Sequence, residues 1–168
     1  MKKILIIGSP GSGKSTLARK LGTTLNLPVV HLDQVFWLEN WVEKDKESFD
    51  NELIAHLLQE KWIIDGCFIR TLPLRLKYCD HVILLNYPTL TCMHRVIKRV
   101  ITNKGKTRPD MANNCPEKFD LSFMKYIFSF KHKKLPEIKK MLKESSAPVT
   151  EIKSNKQLKD FLNKSNLN

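Results

Sequence analysis

Residues 8–15, GSPGSGKS, constrain this chain more than any other stretch. They fit G-x-x-x-x-G-K-[ST] and lie between an apolar run, residues 3–7, and a run in which Leu17, Leu21 and Leu25 recur every four positions. The first run is too short for a helix and is closed by glycine, so it reads as a strand buried on both faces. The second reads as an amphipathic helix ending near Asn26 and Pro28. Gly8, Gly11 and Gly13 allow turns that side chains would block, so the backbone N–H groups of the loop, with Ser9, Pro10 and Ser12 between the glycines, converge on a phosphate. The positive end of the helix beginning near Lys14 adds to that field. Lys14 has the reach for β and γ phosphates, the Ser15 hydroxyl is a hard ligand suited to Mg²⁺, and Thr16 falls beside an α phosphate. ATP and Mg²⁺ are therefore the expected ligands.

The rest of the chain repeats the alternation. Residues 29–32, 62–64, 82–85 and 149–152 are further short strands. Between them, Phe49, Leu53 and Leu57 with Ile54 and Leu58 mark a helix starting near Asp45, and Leu90, Met93, Ile97 and Val100 or Ile101 mark the apolar face of another after Pro88. Asp120 is placed to cap a helix, Pro136 opens a further one through Leu135, Ile138, Met141 and Leu142, and residues 155–163 close the chain with Leu158, Phe161 and Leu162 as the buried side. The expectation is one three-layer α/β/α domain with about five parallel strands. Residues 102–120 lack periodicity and are rich in Gly, Pro, Asn and charge, which predicts a lid-like insertion.

The net charge of +12 is concentrated. Residues 95–143 hold fourteen Lys or Arg against four acids, whereas residues 1–94 and 144–168 each balance at +1. Such a block faces a polyanion, a triphosphate or a nucleic acid, or is a solvated lysine-rich face. Cys67, Cys79, Cys92 and Cys115 form no CxxC pair and no zinc spacing, so free thiols are expected. No apolar run approaches the roughly 20 residues that cross a bilayer. The opening MKKILIIG reads as a first strand rather than a leader, hence a cytoplasmic protein with no membrane partner.

WIIDGCFIRT, residues 62–71, resembles the strand-ending D-G-F-P-R-T of the adenylate-kinase-like nucleotide kinases, with the arginine one residue late and the proline missing. LNYPTLTCMHRVIKR is similar to that family's strand-to-helix segment with two arginines leading to the lid. HLDQVFW, NWVE, RTLPLRL and GKTRPDMANNCPEKFD resemble, within that family, the topology modulation proteins. The resemblance implies a small ATP-dependent kinase in which Asp65 organises Mg²⁺ and its waters, Arg70 grips an acceptor phosphate, and Arg108 closes over the γ phosphate. Arg95 and Arg99, four apart on one helical face, are expected to clamp adenine and phosphates.

Asp33 closes the second strand at the edge where such sheets bind ligands, and in the resembling kinases an acid there orients or deprotonates an acceptor hydroxyl; capping a helix is its other reading. His31 reads as a packed strand residue. Phe36, Trp37 and Trp41 are an aromatic wall or core. Arg75 is a phosphate ligand or a surface residue, and Lys131, His132, Lys133 and Lys134 stand where the family places arginines. Two functions remain open: a kinase acting on a nucleoside monophosphate or related hydroxyl acceptor, and a nucleic-acid-associated ATPase or regulator of DNA topology that uses the basic 95–143 segment.

Overall fold

A computed structural model describes residues 1–164. In chain order its elements are β1 (Lys3–Gly8), α1 (Lys14–Leu25), β2 (Val29–His31), α2 (Leu32–Phe36), β3 (Trp37–Leu38), β4 (Val42–Glu43), α3 (Lys46–Leu57) and β5 (Trp62–Asp65). There follow α4 (Leu72–Leu76), β6 (His81–Leu85), α5 (Thr89–Thr102), α6 (Leu121–Lys133), α7 (Leu135–Glu144), β7 (Val149–Ile152) and α8 (Asn155–Lys164). Five strands pair in parallel in the order β2-β5-β1-β6-β7, while β3 and β4 form a separate antiparallel hairpin.

The period-2 alternation of side chains assigns each strand residue to one of two cores. Leu5 and Ile7 of β1, Trp62 and Ile64 of β5, and Val82 and Leu84 of β6 face a cluster completed by Phe49, Leu53, Leu72, Ile138 and Leu142. Ile4, Ile6, Ile63, Ile83 and Leu85 face the opposite cluster, with Leu17, Leu21, Cys92, Val96 and Ile127. The result is the three-layer α/β/α architecture expected from the alternation of strands and helices. Asp45 caps α3 by accepting from the Ser48 backbone N–H at 2.9 Å, and Asp120 caps α6 at Ser122 and Phe123.

Several local expectations are corrected. β2 ends at His31, so Asp33 stands in the first turn of the one-turn helix α2 instead of closing the strand. Ile54 and Leu58 are exposed; α3 buries the narrower stripe Phe49, Leu53 and Leu57. In α5 the buried pair is Cys92 and Val96, while Leu90, Ile97 and Ile101 face solvent. Packing rotates α5 so that its small residues meet the phosphate loop and its arginines meet the cleft. The β3–β4 hairpin, α2 and α4 were too short to carry a periodic signal.

Between α5 and α6, residues 103–120 form no helix or strand, only two isolated bridges, Lys104 with Glu117 and Thr107 with Pro116. This segment is fastened to the α2–β4 region. Gln34 Nε2 donates to Pro109 O at 2.6 Å, Trp41 Nε1 to Pro116 O at 3.2 Å, and the Asn40 backbone N–H to Asn114 O at 3.1 Å. No helix among the described residues is long and apolar enough to cross a membrane.

Candidate active site

The parallel pairing aligns Ile6 with Asp65 and Asp65 with His31, which brings the loop after β1, the end of β5 and the end of β2 to one edge of the sheet. The loop is seated on α5. A Cβ on Gly11 would lie 2.4 Å from Cys92 O, so the backbone approaches closer than any side chain permits, and Gly13 is a left-handed N-cap for α1. Lys14 Nζ donates to Ser9 O at 3.1 Å, which holds the ammonium against the loop. Ser12 is buried, and its hydroxyl finds no hydrogen-bond partner among the described residues. Arg95 donates to Ser12 O at 3.2 Å and to Asn155 Oδ1 at 2.9 Å while its guanidinium sits 4.4 Å from the Tyr87 ring centroid.

Ser15 Oγ donates to Asp65 Oδ2 at 2.8 Å, and His31 Nδ1 contacts the other oxygen, Asp65 Oδ1. Asp65 and His31 are both buried, so this chain of groups is held by its surroundings. His31 is packed, as its strand position implies, yet it also orients Asp65, a role that no spacing in the sequence signals. Asp110, which sequence reasoning missed, comes to the same place from the 103–120 segment. Burial pushes its carboxyl up, but the Arg108 charge and neighbouring polar groups outweigh that and leave it below the ordinary carboxylate range. Arg108 pairs with Asp110 at 2.6 Å and with Glu117, and Glu117 is shared with Arg99 at 3.0 Å. Arg19, also unforeseen, reaches Asp110 at 3.6 Å. A pattern reader had one cue for Asp110: it follows Arg108 and Pro109 in the aperiodic stretch.

Of these groups Lys14, Ser15, Arg19, Arg95, Arg99, Arg108 and Asp110 line a cleft of about 890 Å³. Pro10, Gly11, Gly13, Lys14, Ser15, Thr16, Arg95, Arg99 and Arg108 all contribute, so the structure brings most of the sequence-derived phosphate candidates together. Gly8 lies behind the loop, where a Cβ would meet Leu85 O at 2.4 Å. Asp33, Phe36, Trp37, Cys67, Phe68 and Tyr126 also line the cleft. Burial raises the Asp33 carboxyl above its ordinary range; Lys14 draws it back down, and Asp65 adds to the rise.

Three candidates fall elsewhere. Arg70 forks onto Asp50 at 2.7 and 2.8 Å on α3 and does not line the cleft. Arg75 is neither phosphate ligand nor surface residue: it is fully buried and donates to Gly66 O at 3.0 Å and Phe68 O at 2.5 Å. Trp41 packs on Trp37 at 5.4 Å behind the wall. The basic block also divides. Its arginines turn into the cleft, whereas Lys133 on α6 is exposed and Lys139 on α7 pairs with Glu151 at 2.9 Å.

The fold is that of two solved structures. A shikimate kinase from Acinetobacter baumannii in complex with shikimate matches with a TM-score of 0.63 at 15% identity, covering 98% of this chain and 90% of that one. A shikimate kinase from Bacteroides thetaiotaomicron matches at 0.61 and 19% identity, covering 96% and 94%. No curated protein matches the sequence. A family model described as an AAA domain matches residues 4–118, a stretch that takes in the phosphate loop, Asp65 and all four cleft arginines, and on that match the chain belongs to the AAA domain family.

Proposed function

We propose that this protein is a small P-loop kinase that transfers the γ-phosphoryl group of ATP to a small acceptor, in keeping with its resemblance to the topology modulation proteins. One observation carries the reading: a single cleft runs from the glycine loop and Lys14 to the Asp33 carboxylate and its aromatic surround. Such a cleft holds a phosphoryl donor and an acceptor at once. Its volume is near the top of the roughly 300–1,000 Å³ range of small-ligand sites.

The loop amides, the α1 N-terminus and Lys14 bind the phosphates, and Arg95, Arg99 and Arg108 neutralise charge that spreads over the transferred group. Ser15 and Asp65 fit Mg²⁺, since a hydroxyl and a carboxylate are hard oxygen donors already in contact. Among the described residues no group of three or more His, Cys, Asp or Glu is arranged to hold a metal, which suits an ion carried mainly by phosphates and water. When bound, the ion would supply neutralisation of the charge on the transferred phosphoryl group, held by Ser15 and Asp65. Residues 103–120 act as a lid that excludes water, with Arg108 as its phosphate-facing group. Asp33, when ionised, accepts the proton of an attacking hydroxyl.

Titration calorimetry with MgATP tests this reading. Binding by the wild-type protein, lost in Lys14→Ala together with a fall in turnover of about a hundredfold or more, is the expected result. No MgATP binding by the wild-type protein refutes it.

A further inference from the structure

The cleft is strongly divided by charge. Its five cations, Lys14, Arg19, Arg95, Arg99 and Arg108, come from the loop, α1, α5 and the 103–120 segment. Among the described lining residues, the wall built by residues 32–68 contributes none. That wall offers Asp33, Phe36, Trp37, Cys67 and Phe68, with Tyr126 of α6 completing it and Glu43, a second acid, exposed at its edge. The two arginines nearest in sequence are committed. Arg70 is held by Asp50 through two charge-assisted hydrogen bonds, and Arg75 lies beneath the wall, bonded to backbone carbonyls.

The aromatic groups form a braced platform. Phe36 meets Trp37 edge-on at 5.0 Å and Phe68 at 5.0 Å, and both Phe36 and Phe68 rest on buried Phe49, at 5.5 and 5.3 Å. An acceptor phosphate or carboxylate brought here meets Asp33 and Glu43, and the cations whose charge reaches Asp33, Lys14 and Arg108, are those assigned above to the phosphates of ATP; desolvating an unpaired anion is costly. A neutral molecule with a flat ring gains aromatic contact and can donate its hydroxyl to Asp33.

Resting on the kinase reading above, we infer that the acceptor is an uncharged ring-bearing alcohol, of nucleoside rather than nucleoside monophosphate type, seated on Phe36, Trp37 and Phe68 with its hydroxyl at Asp33. In the transfer, the acceptor oxygen forms a bond to Pγ as the bond from Pγ to the β–γ bridging oxygen breaks. The electron pair of the broken bond leaves on the β-phosphate of ADP, and the hydroxyl proton passes to Asp33 and then to water.

The test uses the full chain with Mg²⁺ and γ-labelled ATP, offering adenosine and thymidine beside their 5′-monophosphates and shikimate. Label moving to a nucleoside with kcat/KM about a hundredfold or more above that for its monophosphate is expected, a ratio reachable when one partner leaves a buried charge unpaired. Arg70→Gln leaves this preference unchanged. Asp33→Asn lowers transfer by about 10²–10⁴, while its MgATP affinity by calorimetry and the quenching of tryptophan fluorescence by the nucleoside persist. Preference for a monophosphate or for shikimate, failure of both nucleosides, or a rise in acceptor KM in Arg70→Gln overturns the inference. If MgATP still binds in those cases, the kinase reading stands without it; if MgATP does not bind, both fall.

Discussion

Gly11→Ala and Gly105→Ala introduce the same methyl at nearly the same backbone geometry, φ +76° and +73°, in very different surroundings. At Gly105 nothing lies within 4 Å of the new Cβ, so the cost is the left-handed conformation alone, roughly 1–2 kcal/mol. At Gly11 the Cβ would lie 2.4 Å from Cys92 O and 2.8 Å from Val96 Cγ2. The carbonyl belongs to the backbone of α5 and cannot swing aside, so the loop must lift or the helix must shift, which adds roughly 1–3 kcal/mol. For a chain of this size 1 kcal/mol moves Tm by about 2–4 °C, so Gly11→Ala should melt roughly 2–12 °C below Gly105→Ala. Lifting the loop also misplaces the amides that converge on phosphate, so MgATP affinity should fall at least about tenfold at Gly11 and stay unchanged at Gly105. Differential scanning calorimetry and isothermal titration of the two variants decide the matter. Equal Tm and equal MgATP affinity would refute both the close seating of the loop on α5 and its role as a cradle.

Glu117→Gln leaves Arg99 and Arg108 without the buried carboxylate they share, and urea unfolding should show a loss of about 3–5 kcal/mol. Added MgATP should restore more stability to this variant than to the wild type, read as a larger ligand-induced rise in Tm. Asp33 carries a folded-state pKa raised by burial, so its protonated form stabilises the fold below the unfolded pKa and that gain is lost as pH rises through the folded one. Asp33→Asn should therefore be no less stable than the wild type at pH 7 while transfer collapses, and wild-type turnover should fall with acidification in a range above that of an ordinary carboxylate. Arg75→Met orphans the carbonyls of Gly66 and Phe68, each worth about 1–3 kcal/mol, and should lower the urea midpoint. Of the residues whose carbonyls it orphans only Phe68 lines the cleft, in the aromatic wall and not among the phosphate-binding groups, so the MgATP affinity of the folded variant should match the wild type.

The phosphate end was legible because it is local. A glycine loop between a buried strand and a helix fixes Lys14, Ser15 and the loop amides relative to one another within a few residues, and the short apolar runs separated by helical periods imply a parallel sheet with both faces covered. Asp65, Arg95, Arg99 and Arg108 were found through resemblance, and the fold brings them to that loop. What the sequence could not determine depends on contacts between distant segments. The turn of α5 that buries Cys92 and Val96 follows from the seating of Gly11, since either apolar stripe of that helix satisfies the periodicity. Asp110 enters the site only because residues 103–120 are fastened to the α2–β4 region, and Arg70 leaves it only because Asp50 of α3 lies within reach. A charged side chain's role depends on which partner the fold sets within about 4 Å of it, and no spacing along the chain encodes that distance.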